Sequence, residues 1–172
     1  MVVEETHKAG LKVVAHATTP EGIRNAVMAG VDSIEHGHAA DKAALQLMKT
    51  KGTYLVPTIS VVDAAMATRF GGSTNSPKAL AFLDTLKHAM SMAQEIGVKI
   101  ANGSDAADTA SHGRNAVELE AMTQRGFSSI EAIRAATIST ADLIGWSDKV
   151  GALESGHVCR FDCRGGRSDR RY

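Results

Sequence analysis

Residues 22–38 read GIRNAVMAGVDSIEHGH, and Gly30 divides them. The run "EGIRNAVMAG" before the break has helical character. The run "VDSIEHG" after it is short and β-rich, yet it ends among Glu35, His36 and His38. The same helix–Gly–strand unit recurs three more times. "VVEETHKAG" leads into "LKVVAHA", "DKAALQLMKTKG" into "TYLVPTIS", and "SPKALAFLDTLKHAMSMAQEIG" into "VKIANGSDA". Gly10, Gly30, Gly52 and Gly97 fall where a helix ends in a left-handed residue, which glycine adopts because it has no Cβ to clash.

Helix starts are marked as well. Thr19-Pro20 and Ser76-Pro77 read as an N-cap followed by proline at the first helical position. In the fourth helix Leu80, Leu83, Leu86, Met90, Ala93 and Ile96 make one stripe, with His88 off it and solvated. "RNAVELEAMTQRG" is a further amphipathic run. Ser128 and Glu131 have capping-box spacing and open "SSIEAIRAATISTADLIG", which ends at Gly145.

Helices alternating with short, apolar strands predict a parallel sheet covered on both faces. A doubly wound sheet and part of a (β/α)₈ barrel both fit. The strands finish at His16, His36, Pro57-Thr58 and Ser104-Asp105. In a barrel these C-terminal ends converge on one point. Two imidazoles and a carboxylate there make a set suited to zinc or a similar divalent ion. Singly, a strand-end histidine also reads as a hydrogen-bonded structural residue, and the aspartate as a helix cap. "FGGSTNS" at 70–76 lacks the strand-before, helix-after context of a phosphate loop and reads as a flexible loop.

The totals narrow the field. At 172 residues the chain is long enough for one domain with a sizeable core. Its net charge of +0 suggests neither a nucleic-acid partner nor an anionic membrane. Nothing resembles a signal peptide or a membrane-spanning run. Two cysteines, Cys159 and Cys163, form no disulfide framework, and a reducing, cytoplasmic compartment is expected.

The quoted stretches, with "HGRNAVELEAMTQRGFSSIEAIRAATISTADLIG" after them, resemble the C-terminal half of a metal-dependent amidohydrolase. They are most similar to the imidazolonepropionase-like and Xaa-Pro-dipeptidase-like branch, over residues 2–158. The resemblance implies the second half of a TIM-like (β/α)₈ barrel, strands five to eight with their helices, over 1–145. Residues 146–158 would open a small β-sandwich domain. By the same resemblance His16 ends strand five, His36 strand six and Asp105 strand eight. His16 and His36 would ligate one metal; Asp105 would touch a second and move protons. Glu35 reads either as orienting a ligand from behind or as a helix-end or loop salt bridge. His38 and His112 read either as substrate contacts or as simply exposed, and Arg114 as a partner for a substrate carboxylate. The implied activity is hydrolysis of a C–N bond in a small amide or dipeptide, with one or two divalent ions, zinc foremost. The other class of function left open is a non-catalytic α/β module that binds metal or a partner protein.

The resemblance also names parts not found in these residues: a His-x-His pair on strand one and a bridging carboxylated lysine or acid on strand four. The expectation is therefore a fragment truncated at its N-terminus, with little or no hydrolase activity alone. Its two open sheet edges, at the strands bearing His16 and Asp105, invite self-association. The tail 159–172, "CRFDCRGGRSDRRY", departs from the family. It holds five of the ten arginines, and without it the chain carries fourteen basic against seventeen acidic residues, a net of −3. One possible coding sequence for it, read one base forward, gives ADLIAVAGDPIAD, the pattern expected of the family. A frame shift near residue 158 is one reading of the tail, and a natural basic segment for an anionic partner is the other.

Overall fold

The computed structural model describes residues 1–69, 77–106, 109 and 112–158. The 70–76 loop, the Ser76 cap, and the tail 159–172 with both cysteines lie outside the described residues. The order is α1 (Val2–Lys8), β1 (Val14–Ala17), α2 (Pro20–Ala29), β2 (Ser33–His36), α3 (Lys42–Lys51), β3 (Tyr54–Val56), α4 (Ile59–Arg69) and α5 (Pro77–Ile96). Then follow α6 (Val117–Gln124), α7 (Ser129–Arg134), a π-helical turn (Ala135–Ser139) and α8 (Thr140–Leu143).

The local signals act as expected. The Thr19 hydroxyl accepts from the Gly22 amide and Pro20 opens α2, which closes on Gly30 at φ 93°. Asp41 caps α3 through the Ala44 amide, and Gly52 ends it at φ 73°. Ser128 and Glu131 form the reciprocal capping box of α7.

The three strands are parallel, in the order β1-β2-β3. Val14 aligns with Ser33 and Tyr54, and His16 with Glu35 and Val56. Side chains alternate across a sheet and aligned residues share a face. One face therefore carries Val14, His16, Ser33, Glu35, Tyr54 and Val56. The other carries Ile34 and Leu55, which are fully buried in the main core. That core is built from Ile23 and Val27 of α2, Leu45 and Met48 of α3, and Leu86 and Met90 of α5. Burying each such side chain is worth about 1.5–3 kcal/mol.

Three elements differ from the sequence reading. The fourth strand is reduced to a single parallel bridge, Leu55 to Ile100, because the Asn102 amide turns out of the ladder. It bonds instead to the Ala135 carbonyl at 3.2 Å and the Thr140 hydroxyl at 3.2 Å. The last helix is not continuous: Thr140 donates its hydroxyl to the Ala135 carbonyl, five residues back, at 2.6 Å, and the turn between them is π-helical. The buried stripe of α5 is Ala79, Leu86, Ala89, Met90 and Ala93, while Leu80 is exposed. Its small residues let α5 approach α3 closely. His88 is exposed, as read. Among the described residues no helix is long and apolar enough to cross a membrane.

The entry to β2 depends on Asp32. Its carboxylate accepts from the Val13 amide at 2.8 Å, Lys12 Nζ at 2.9 Å and His7 Nε2 at 2.7 Å. Burial would raise its pKa, but these hydrogen bonds outweigh it and hold the group below 3.8. A carboxyl lowered by folding contributes stability above its ordinary value and loses it as pH falls through the folded value. Asp32→Asn is expected to cost about 1–2 kcal/mol at neutral pH. Urea midpoints of wild type and variant should converge below pH 3.8; an undiminished gap in acid would rule the carboxylate out as the source.

Candidate metal centre

Both histidine-bearing strand tips face one cleft of about 390 Å³, lined by Val14, His16, Glu35, His36, Thr58, Gly103 and Asp105. The backbone there is unusual. The non-glycine residues with positive φ among the described residues are His36 at 73°, Thr58 at 47° and Asp105 at 47°. All three line this cleft. Such values are uncommon outside glycine and mark positions held by their surroundings. At His36 the consequence is direct. The residue has left the extended conformation, so Glu35 and His36 no longer alternate across the sheet, and both reach the cleft.

Glycine permits two close approaches beside it. A Cβ on Gly37, at φ 60°, would lie 2.5 Å from Leu55 Cδ1, and one on Gly103 would lie 2.7 Å from Val56 Cγ1. Both strand tips therefore pack tightly on their neighbours.

The imidazoles of His16 and His36 are edge-to-face, with ring centroids 4.4 Å apart. His36 Nδ1 lies 2.7 Å from the Thr58 hydroxyl oxygen. Burial, and next the neighbouring His16, hold the pKa of His36 below its ordinary value, while Asp105 opposes them. Neutral imidazole is the form that binds metal. Burial raises the carboxyl of Glu35, with Asp105 adding to the rise; a bond from Ser33 at 2.6 Å works against it.

The other expected residues are placed less tightly. His38 is buried behind His36, between that ring at 5.3 Å and Phe82 at 5.7 Å, and its Nε2 has no hydrogen-bond partner. Burial, then His36, push its pKa down to about 4. Arg114 lines a neighbouring cleft with Ser60, Ser104 and Asp105. His112 is exposed, its Nε2 3.2 Å from the Ala106 carbonyl. The structure thus brings His16, Glu35, His36 and Asp105 together, sets Arg114 next door through the shared Asp105, and leaves His38 and His112 outside.

The donor chemistry fits a divalent ion: two close imidazoles, one fixed through its Nδ1, and a carboxylate on the same cleft. The set is partial. Among the described residues no three His, Cys, Asp or Glu side chains come close enough together to hold an ion.

The amidohydrolase family model matches residues 1–158. The chain belongs to the amidohydrolase family. It is 36% identical to the ochratoxinase of Aspergillus niger over 148 residues, covering 84% of this chain and 30% of that protein. A crystal structure of a Xaa-Pro dipeptidase with methionine in its active site superposes with a TM-score of 0.79 at 38% identity, over 91% of this chain and 39% of that one. The A. niger ochratoxinase structure gives 0.77 at 34% identity, over 91% and 36%. The chain spans about a third of the length of these amidohydrolases. Its parallel sheet with covering helices matches part of their fold.

Two residues of consequence went unread in the sequence. Thr58 follows Pro57 at a strand end, and its sequence context alone assigns it no role. Glu118 lies within an amphipathic run, and its signal is its spacing: it sits three and four residues before Ala121 and Met122, on the stripe that is buried.

Proposed function

We propose that this chain supplies one part of the metal centre of an amide-bond hydrolase, with His16 and His36 as ligands and Asp105 as the proton carrier. The observation that carries the reading is the 4.4 Å approach of the two imidazoles at adjacent strand tips, on a cleft that Asp105 also lines. Family membership supports the hydrolytic class, and the names of the relatives point to dipeptides and small amides.

A divalent ion, zinc foremost, would supply hydroxide near neutral pH and polarise the scissile carbonyl. The chain's own residues do the rest. Asp105 takes a proton from the attacking water and returns it to the departing nitrogen, so that water adds across the C–N bond to give a carboxylate and an amine. Glu35 borders His16 and helps orient it. Arg114, on the cleft that shares Asp105, pairs with a substrate carboxylate. His38, buried behind His36, and His112, outside this cleft, are assigned no substrate contact.

A catalytic zinc usually has three protein ligands, and the described residues gather two imidazoles. The purified 172-residue polypeptide is therefore expected to take up zinc weakly and to show no turnover on a panel of dipeptides and N-acyl amino acids. Robust turnover would overturn the partial-site reading, and absence of metal uptake would overturn the ligand assignment.

The partner proposal is a second copy of the chain. β1 and the 99–101 segment each have one neighbour in the sheet among the described residues, and Val14 on β1 is 61% exposed. Unpaired edges of this kind template strand addition. Sedimentation should show a concentration-dependent shift to dimers or larger species; a monodisperse monomer at all concentrations would count against it.

A further inference from the structure

We propose that Glu118 is a positioning residue for His36, acting on it through the backbone of residues 58–60. The proposal rests on the reading of His36 as a metal ligand. Glu118 is the fully buried ionisable side chain among the described residues that no step above uses. Its Oε1 accepts from the Ile59 amide and its Oε2 from the Ser60 amide, each at 2.7 Å. These are the first two amides of α4. Their donors point outward with no partner inside the helix, and the helix dipole favours a negative charge there. A carboxylate from α6 thus does the work of an N-cap on a different helix.

The clamp fixes where Thr58 stands. Thr58 immediately precedes the clamped amides, is buried, and is held at φ 47°, a conformation that a β-branched residue avoids. Pro57 constrains the chain before it and Glu118 the chain after it. The hydroxyl so placed is the one 2.7 Å from His36 Nδ1. When Nδ1–H donates to that oxygen, Nε2 carries the lone pair, which is how a partner on the far nitrogen sets a ligating histidine. The line runs from the carboxylate to two amides, to Thr58, to the imidazole.

The test reads the His36 tautomer from ¹⁵N shifts of its ring nitrogens, in the whole 172-residue chain at neutral pH without added metal. Loss of signal in His36→Asn makes the assignment. Wild type should show the Nδ1–H form. Glu118→Gln keeps the volume but presents an N–H₂ group to one of the two amides. It should shift His36 toward the Nε2–H form. Thr58→Val should shift it further, and Thr58→Ser should restore it. Ser60→Ala removes only the hydroxyl that Glu118 also receives, and should give a smaller shift in the same direction. Zinc affinity by equilibrium dialysis should fall about tenfold in Glu118→Gln, the scale of a lost outer partner.

An unchanged tautomer in folded Glu118→Gln overturns the proposal. If that variant does not fold, an unchanged tautomer in Ser60→Ala overturns it instead. The two readings fail separately. A tautomer shift with no zinc bound by any variant keeps Glu118 in its role and sinks the metal assignment. Zinc bound with the tautomer unmoved does the reverse.

Discussion

Replacing His16 and His36 together by asparagine is expected to lower zinc uptake by at least about 100-fold, the upper end of what loss of an outer partner alone costs. The imidazoles are the close pair of nitrogen donors on the cleft, and the nearest carboxylates are a poor substitute. Glu35 is bonded to Ser33, and Asp105 is the one other carboxylate lining the cleft among the described residues. The fold should survive the change. His16 is exposed, and asparagine is among the few residues that tolerate the positive φ of position 36. Far-ultraviolet circular dichroism checks the fold, and elemental analysis after dialysis against zinc counts the metal. A linked result should follow: zinc should raise the unfolding temperature of wild type and leave the double variant unmoved, because only a ligand bound to the native state stabilises it. Full metal uptake by a folded double variant would falsify the assignment.

How much of this was legible in the sequence depended on whether a feature is local. The glycine punctuation and the caps at Thr19 and Ser128 are local chemistry, and they appear where their spacing placed them. Their regular recurrence was enough to imply parallel strands with polar tips, and His16, Glu35, His36 and Asp105 do line one cleft. The departures at strand four and at the start of α4 involve partners distant in sequence, whereas the π-helical turn rests on a contact spanning five residues. Strand four shortens because Asn102 finds the carbonyl of Ala135, and the start of α4 is held by Glu118, which captures the amides of residues 59 and 60. No window of sequence contains both halves of either contact. Thr58 shows the same limit from the other side. A threonine after proline is unremarkable until the hydroxyl is seen beside His36, twenty-two residues earlier.

Glu118→Ala should be among the most damaging single substitutions in the chain, costing about 3–5 kcal/mol of stability. The figure follows from what the change leaves behind. The Ile59 amide is buried and the Ser60 amide partly so, and each loses its acceptor. An unsatisfied buried donor costs about 1–3 kcal/mol. Removing the side chain also opens a gap beside Met122 and Ala121, which adds a cavity cost. Two further groups feel the loss. Asp63 and Arg125 pair between α4 and the end of α6. Burial raises the carboxyl of Asp63, and Arg125 counters that rise, so the pair depends on α4 staying docked. Glu118→Gln keeps one acceptor and the volume, and should cost about 1–2 kcal/mol. Urea denaturation measures both, and hydrogen exchange at the Ile59 and Ser60 amides shows where the structure opens first. The Ala variant should lose protection at those two amides well before global unfolding. A cost below about 1 kcal/mol for Glu118→Ala would mean that water satisfies the amides as well as the carboxylate does. In that case the carboxylate would be dispensable to the helix start, and the positive φ of Thr58 would have to be held by Pro57 and the His36 contact alone.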